Sequence, residues 1–248
     1  MQVYLALGPA EHKSVLSDNS LIEEEMNLLF PFTTVKEYDL LKDYKNVNLM
    51  VDSGAFTYNH KDSFNIDKIN KYILDYRKFI LKTKDDSRIQ GYFDVDILKL
   101  GYDNIHNVRE KLFEITDKII PVWHKEWGVK KYMEMCKEYD YVAIPCAKSA
   151  EIKQNSLKHF VKYAHKQGTK IHGLGESKQS VLEKVPFNSV DAATWVNTVI
   201  FAYYGSSRVR LNSEYVRTNR DTILKGSFIQ HLQRAKYYHK KWSWYHND

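Results

Sequence analysis

IIPVWHKEWGVKKYMEMCKEYDYVAIPC, residues 119–146, decides the fold. Its two ends, Ile119–Trp123 and Tyr141–Pro145, are short apolar runs rich in β-branched residues and closed by turn signals, which predicts strands. Between them Val129–Tyr139 carries apolar residues at the spacing of a surface helix. A strand, a helix and a second strand in so few residues make one βα repeat, and such repeats build a parallel sheet.

The alternation continues in both directions. Predicted strands are Val3–Leu7, Leu49–Val51, Gln90–Val95, Lys170–Leu174 and Ser189–Asp191, with an eighth in Val199–Tyr204. Predicted helices cover Ile66–Leu81, Asn104–Ile115, Leu157–Gln167 and Ser177–Lys184, and Gly168 stands where a helix-terminating glycine belongs. An open doubly wound sheet and a closed barrel both fit this pattern. Seven or eight units in 248 residues favour the barrel, for which about 250 residues is typical. The expectation is a single (β/α)8 TIM-type barrel over residues 1–248, irregular in its last units. No linker or low-complexity segment divides the chain. Ile223–Tyr238 reads as a final helix, followed by a basic, aromatic tail, His239 to His246, that either closes the barrel bottom or stacks on nucleic acid.

Composition bounds the function classes. Hydrophobic residues at 43% and charged residues at 27% describe an ordinary globular chain. The formal net charge of +6, with the excess in the C-terminal half, and an aromatic content of 14% fit a polyanionic partner. They fit equally a lysine-rich surface over an aromatic core. Cys136 and Cys146 are the two cysteines, without histidines at ligand spacing, so neither a disulfide framework nor a cysteine zinc site is expected. The opening MQVYLALGPAEHK lacks the features of a secretion signal, and no apolar run reaches about eighteen residues. A cytoplasmic protein without membrane attachment is expected.

In a βα barrel, chemistry gathers where the strands end at their carboxyl side. Asp52 follows Leu49-Met50-Val51, Asp94 and Asp96 follow Gly91-Tyr92-Phe93, and Asp191 follows Ser189-Val190. Each alone reads as a helix cap. Together at one mouth they suit glycosidic-bond chemistry, with one carboxylate as nucleophile and another moving a proton. They also suit a magnesium site formed by Asp52, Asp94 and Asp96. Gly54, Gly173 and Gly175 would let a flat ligand approach the backbone. His124 and His172 are candidate acid–base groups, His172 equally a structural one.

These residues resemble the guanine transglycosylases, which exchange a base in nucleic acid for a 7-deazaguanine. Asp52-Ser53-Gly54-Ala55-Phe56 is similar to that family's Asp-Ser-Gly-Gly-Phe motif after its second barrel strand. Phe93-Asp94 resembles its Phe-Asp pair, and Gly173-Leu174-Gly175 followed by Ser189-Val190-Asp191 resembles its Gly-x-Gly and nucleophile segment. The resemblance spans Val3 to Trp195 and implies Asp191 as nucleophile, Asp52 as acid/base and Asp94 as reader of the base. It further implies Ser53, Gly54, Phe56, His124, Gly173 and Gly175 around the substrate. Trp123 and Cys146 fall where the family places further pocket residues of other types. The chain departs from the tRNA enzymes in lacking their zinc cysteines and their appended RNA-binding domain, so no cofactor is expected. It is more similar to compact, phage-type enzymes acting on DNA. The implied reaction replaces guanine in DNA by a free 7-deazaguanine such as 7-cyano-7-deazaguanine, with tRNA as the alternative polymer and with a partner protein to open the duplex. A metal-dependent barrel hydrolase or lyase and a non-catalytic nucleic-acid-binding module are the competing readings.

Overall fold

The computed structural model of the protein describes residues 1–8, 15–17, 19–59, 65–146, 152–201 and 212–246. Eight strands run parallel: β1 (Gln2–Ala6), β2 (Met26–Pro31), β3 (Val47–Asp52), β4 (Ile89–Phe93), β5 (Ile119–Ile120), β6 (Tyr141–Pro145), β7 (Lys170–Leu174) and β8 (Ser189–Ala192). Their order is β5-β4-β3-β2-β1-β8-β7-β6. The two ends meet through a parallel bridge between Val122 and Ala143, where Trp123 N–H donates to the Ala143 carbonyl at 2.9 Å and Ala143 N–H to that of Pro121 at 2.8 Å. The protein is a single (β/α)8 TIM-type barrel.

Each strand alternates sides, so one set of residues fills the interior. Tyr4, Leu29, Met50, Phe93, Ile120, Val122 and Ala143 form that cluster. Their neighbours along the strands, such as Leu5, Leu28, Leu49 and Tyr92, face the surrounding layer. That layer holds α1 (Ala55–Asn59), α2 (Ile66–Thr83), α3 (Tyr102–Phe113), α4 (Gly128–Glu138), α5 (Gln154–Lys166), α6 (Gln179–Leu182), α7 (Asn197–Phe201), α8 (Ser213–Thr218) and α9 (Arg220–His246). Local chemistry sets the boundaries: Asn65 caps α2 by accepting from Lys68 N–H, and Gly168 adopts φ +82° after α5.

One strand lies elsewhere than expected. The eighth strand is Met26–Pro31, whereas Asn197–Phe201 is helical and residues 202–204 fall outside those described. The barrel leaves no edge for a strand after β8: β1 already pairs with β2 on one side and with β8 on the other. Asp52 therefore ends the third strand, not the second. The expected C-terminal helix extends to His246 and takes the barrel's eighth outer position, with Phe228, Leu232 and Tyr238 buried. Its tail is pinned to the helix layer. Trp242 donates to the Leu182 carbonyl at 2.9 Å, Lys241 pairs with Glu183, and Tyr245 meets His165. No helix among the described residues is long and apolar enough to cross a membrane.

Candidate active site

Asp52 is the last residue of β3. Its Oδ1 accepts the Gly54 N–H at 2.8 Å, a local turn that requires Gly54 at φ +76°. A Cβ on Gly54 would lie 2.8 Å from Tyr72 Oη and 3.1 Å from Thr33 Cγ2. The space beside Gly54 is thus filled by protein, not left for a ligand. Ser53 is wholly buried, and its carbonyl accepts from the Tyr72 hydroxyl. These two expected ligand contacts are scaffolding for Asp52. Phe56 is 63% exposed on α1.

Beyond the end of β4 the two aspartates take different partners. Phe93 points inward, so Asp94 points outward. Fully buried, it accepts from Arg109 Nε of α3 at 2.7 Å through Oδ2 and from Val122 N–H at 3.0 Å through Oδ1. Burial raises its pKa, against the opposing charge of Arg109. The expected base reader and magnesium ligand thus has both carboxylate oxygens engaged in holding β4, β5 and α3 together. Asp96, two residues on, returns to the mouth and meets His124 Nε2 at 2.6 Å. Burial disfavours charge on His124, but the hydrogen bond and charge of Asp96 outweigh it and raise its pKa.

Asp191 stands opposite, on β8. Its Oδ1 accepts the Gly175 N–H at 2.8 Å and contacts His172 Nε2 at 3.1 Å. Oδ2 makes no hydrogen bond among the described residues. His172 is wholly buried inside the barrel, its ring 4.8 Å from that of Phe93. Its Nδ1 meets Ser189 Oγ, which in turn meets the Tyr141 hydroxyl. A chain of polar groups thus leads from the barrel interior to Asp191. Gly175, at φ +69°, expected as a substrate contact, presents its N–H to that carboxylate.

The carboxylates sense one another. Burial first, then the charges of Asp96 and Asp191, push Asp52 up to about 6, against the Gly54 hydrogen bond. A carboxyl group is thereby kept largely protonated in mildly acid conditions beside an acceptor carboxylate.

Of three further expected ligand contacts, Trp123 and Gly173 pack against the outer layer, and Cys146 is buried near Asp191. Trp123 is buried against Tyr132 and Phe160 of the outer layer, with Nε1 donating to the Gly128 carbonyl at 3.0 Å. A Cβ on Gly173 would sit 3.1 Å from the Phe187 ring, so this glycine is required by packing. Cys146 is buried, and burial with the nearby charges of Glu176 and Asp191 raises its thiol pKa well above the ordinary value.

Glu176 went unnoticed in the sequence. It is 1% exposed, its Oε1 accepts Lys178 N–H at 2.8 Å, and its Oε2 has no partner among the described residues. The signal available was its place directly after Gly173-Leu174-Gly175. Among the described residues, the one group with donor atoms spaced for a metal ion is His106, Glu110 and Glu138, within 4.8 Å of one another on the outer helices.

No family model and no curated protein matches the chain. Two solved structures are similar in fold. An HpcH/HpaI aldolase from Desulfitobacterium hafniense DCB-2 shares 9% identity at a TM-score of 0.46, covering 80% of this chain and 89% of that one. The carboxyl transferase domain of Rhizobium etli pyruvate carboxylase, solved with 3-bromopyruvate, shares 12% identity at a TM-score of 0.47, covering 96% of this chain and 48% of that one.

Proposed function

We propose that the protein is an enzyme, a base-exchange glycosyltransferase that replaces guanine in DNA by a 7-deazaguanine through a covalent intermediate on Asp191. The observation that carries this reading is the division of labour between Asp191 and Asp52. One carboxylate is oriented with an oxygen that makes no hydrogen bond among the described residues; the other is pushed towards the protonated form, in part by the charge of the first. That is the pairing a double displacement needs. Asp191 Oδ2 attacks C1′ as the C1′–N9 bond breaks, and the electron pair leaves on the base while Asp52 supplies a proton. The incoming deazaguanine then returns a proton to Asp52 and attacks C1′, releasing Asp191 with net retention.

His172 and Gly175 orient the nucleophile, and the Asp96–His124 pair offers polar contacts to the base in place of Asp94. Phe56 offers a stacking face. The basic surface suits a polynucleotide, and the motif resemblance suits DNA over tRNA. The test is incubation with guanine-containing DNA or tRNA and a labelled 7-deazaguanine, with D191N as control. Label entering DNA and lost in D191N is the expected result, and label entering tRNA alone transfers the reading to that polymer. No exchange into either polymer refutes it.

A further inference from the structure

A concavity of about 480 Å3 opens between the segments following β7 and β8 and the helix α9. Ser177 enters it two residues after Gly175, the donor to Asp191; Thr194 enters it three residues after Asp191. Asn197, His231 and Arg234 also line it, with Gln179, Glu183 and Gln230. The walls are held by internal bonds. Trp195 Nε1 donates to the Ala6 carbonyl at 2.8 Å, and Ser227 Oγ of α9 donates to the Trp195 carbonyl at 2.7 Å. His231 Nδ1 donates to the Ser227 carbonyl at 2.8 Å, which sets the ring with Nε2 beside Thr194 Oγ1.

Arg234 is the decisive residue. One Nη2 hydrogen goes to the Ser177 carbonyl at 3.0 Å, and the guanidinium lies 5.6 Å from the Tyr238 ring centre, so its orientation is set. No carboxylate pairs with it among the described residues. Glu183, the acid in the lining, is taken by Lys241. An oriented guanidinium with uncommitted donors, ringed by hydroxyl and amide groups, matches the oxygens of a phosphate.

We propose that this pocket binds a phosphate group of the substrate. Under the base-exchange reading, on which the identity of that phosphate rests, it is the phosphodiester next to the target nucleotide. The pocket is lined by Ser177, two residues beyond Gly175, and by Thr194, three residues beyond Asp191, so the segments following β7 and β8 link it to the nucleophile. The mouth residues would read the base while Arg234 fixes the backbone.

The experiment titrates wild type, R234Q and N197D with three probes: a guanine-containing single-stranded oligodeoxynucleotide, inorganic phosphate and 2′-deoxyguanosine 5′-monophosphate. N197D places a carboxylate in the lining while leaving the Arg234 side chain itself in place. Both variants are expected to weaken oligonucleotide binding by about tenfold or more, the loss of one charged hydrogen-bonding partner. A neutral methylphosphonate next to the target guanine should erase the difference between R234Q and wild type. Binding of phosphate or the monophosphate with the same dependence on Arg234, but none of the oligonucleotide, supports the site and assigns it to a small phosphomonoester. Binding of every probe unchanged in both variants, or no binding of any probe to wild type, overturns the proposal. Base exchange is scored separately: phosphate binding lost in R234Q, in a wild type that exchanges no base, keeps the site and removes the reaction.

Discussion

Replacing Asp52 by Asn should make the protein more stable at neutral pH while abolishing the proton transfer proposed for it. Asp52 lies near 6 in the folded protein against 3.8 ordinarily, because burial and the Asp96 and Asp191 charges disfavour its ionised form. A carboxyl raised on folding contributes stability that is full below the unfolded pKa and lost as pH rises through the folded one. The window therefore runs from about pH 4 to about pH 6. Above it the wild type carries a penalty of roughly two pKa units at 1.36 kcal/mol each, about 3 kcal/mol as an upper figure. Asn keeps an Oδ1 acceptor for the Gly54 N–H and has no charge to bury. The D52N protein should exceed wild type by up to about 3 kcal/mol at pH 8 and match it at pH 4, a rise in midpoint of roughly 6–12 °C for a chain of this size. Urea unfolding at pH 4, 5, 6, 7 and 8 measures the difference. A D52N protein no more stable than wild type at pH 8, or a difference that does not vary with pH, refutes the reasoning.

Three other substitutions probe separate parts of the argument. R109M leaves the buried Asp94 carboxylate without its partner and should cost about 3–5 kcal/mol, whereas the double variant D94L/R109M should recover much of that loss in the same urea assay. H172Q removes the imidazole that orients Asp191 and should lower kcat about tenfold to a hundredfold with KM little changed, the effect of one hydrogen bond to a charged group. Equal kcat in H172Q and wild type would count against a positioning role. G54A forces φ +76° on alanine and drives a methyl against Tyr72, which should cost about 1–3 kcal/mol or more by thermal melting. An unchanged midpoint would show that the Asp52 turn is not strained by a side chain there.

The regular units of this protein were legible in its local sequence, because strands and outer helices bury one side and the burial leaves a period. Lys170–Leu174 and Tyr141–Pro145 are strands as expected, and the helical spacing from Ile66 onward marks α2. Periodicity failed where a run had two outlets. Met26–Pro31 carries little alternation and opens after three glutamates, while the aromatic, β-branched Val199–Tyr204 looks like a strand whose place in the barrel was already taken. Inward and outward parity was also present in the sequence for Asp94, which must turn out if Phe93 is inside; Asp96 has the same parity and meets His124 only because the chain leaves the strand after Phe93. What no local pattern contains is which distant group meets each carboxylate. Arg109 claims Asp94 from a helix fifteen residues on, and His172 reaches Asp191 from the neighbouring strand. The sequence by itself determined a barrel with acids at its strand ends. The tertiary structure decided which acid is buried in an ion pair, which is oriented and which is pushed towards protonation, because desolvation and neighbouring charge arise only when the strands close on one another.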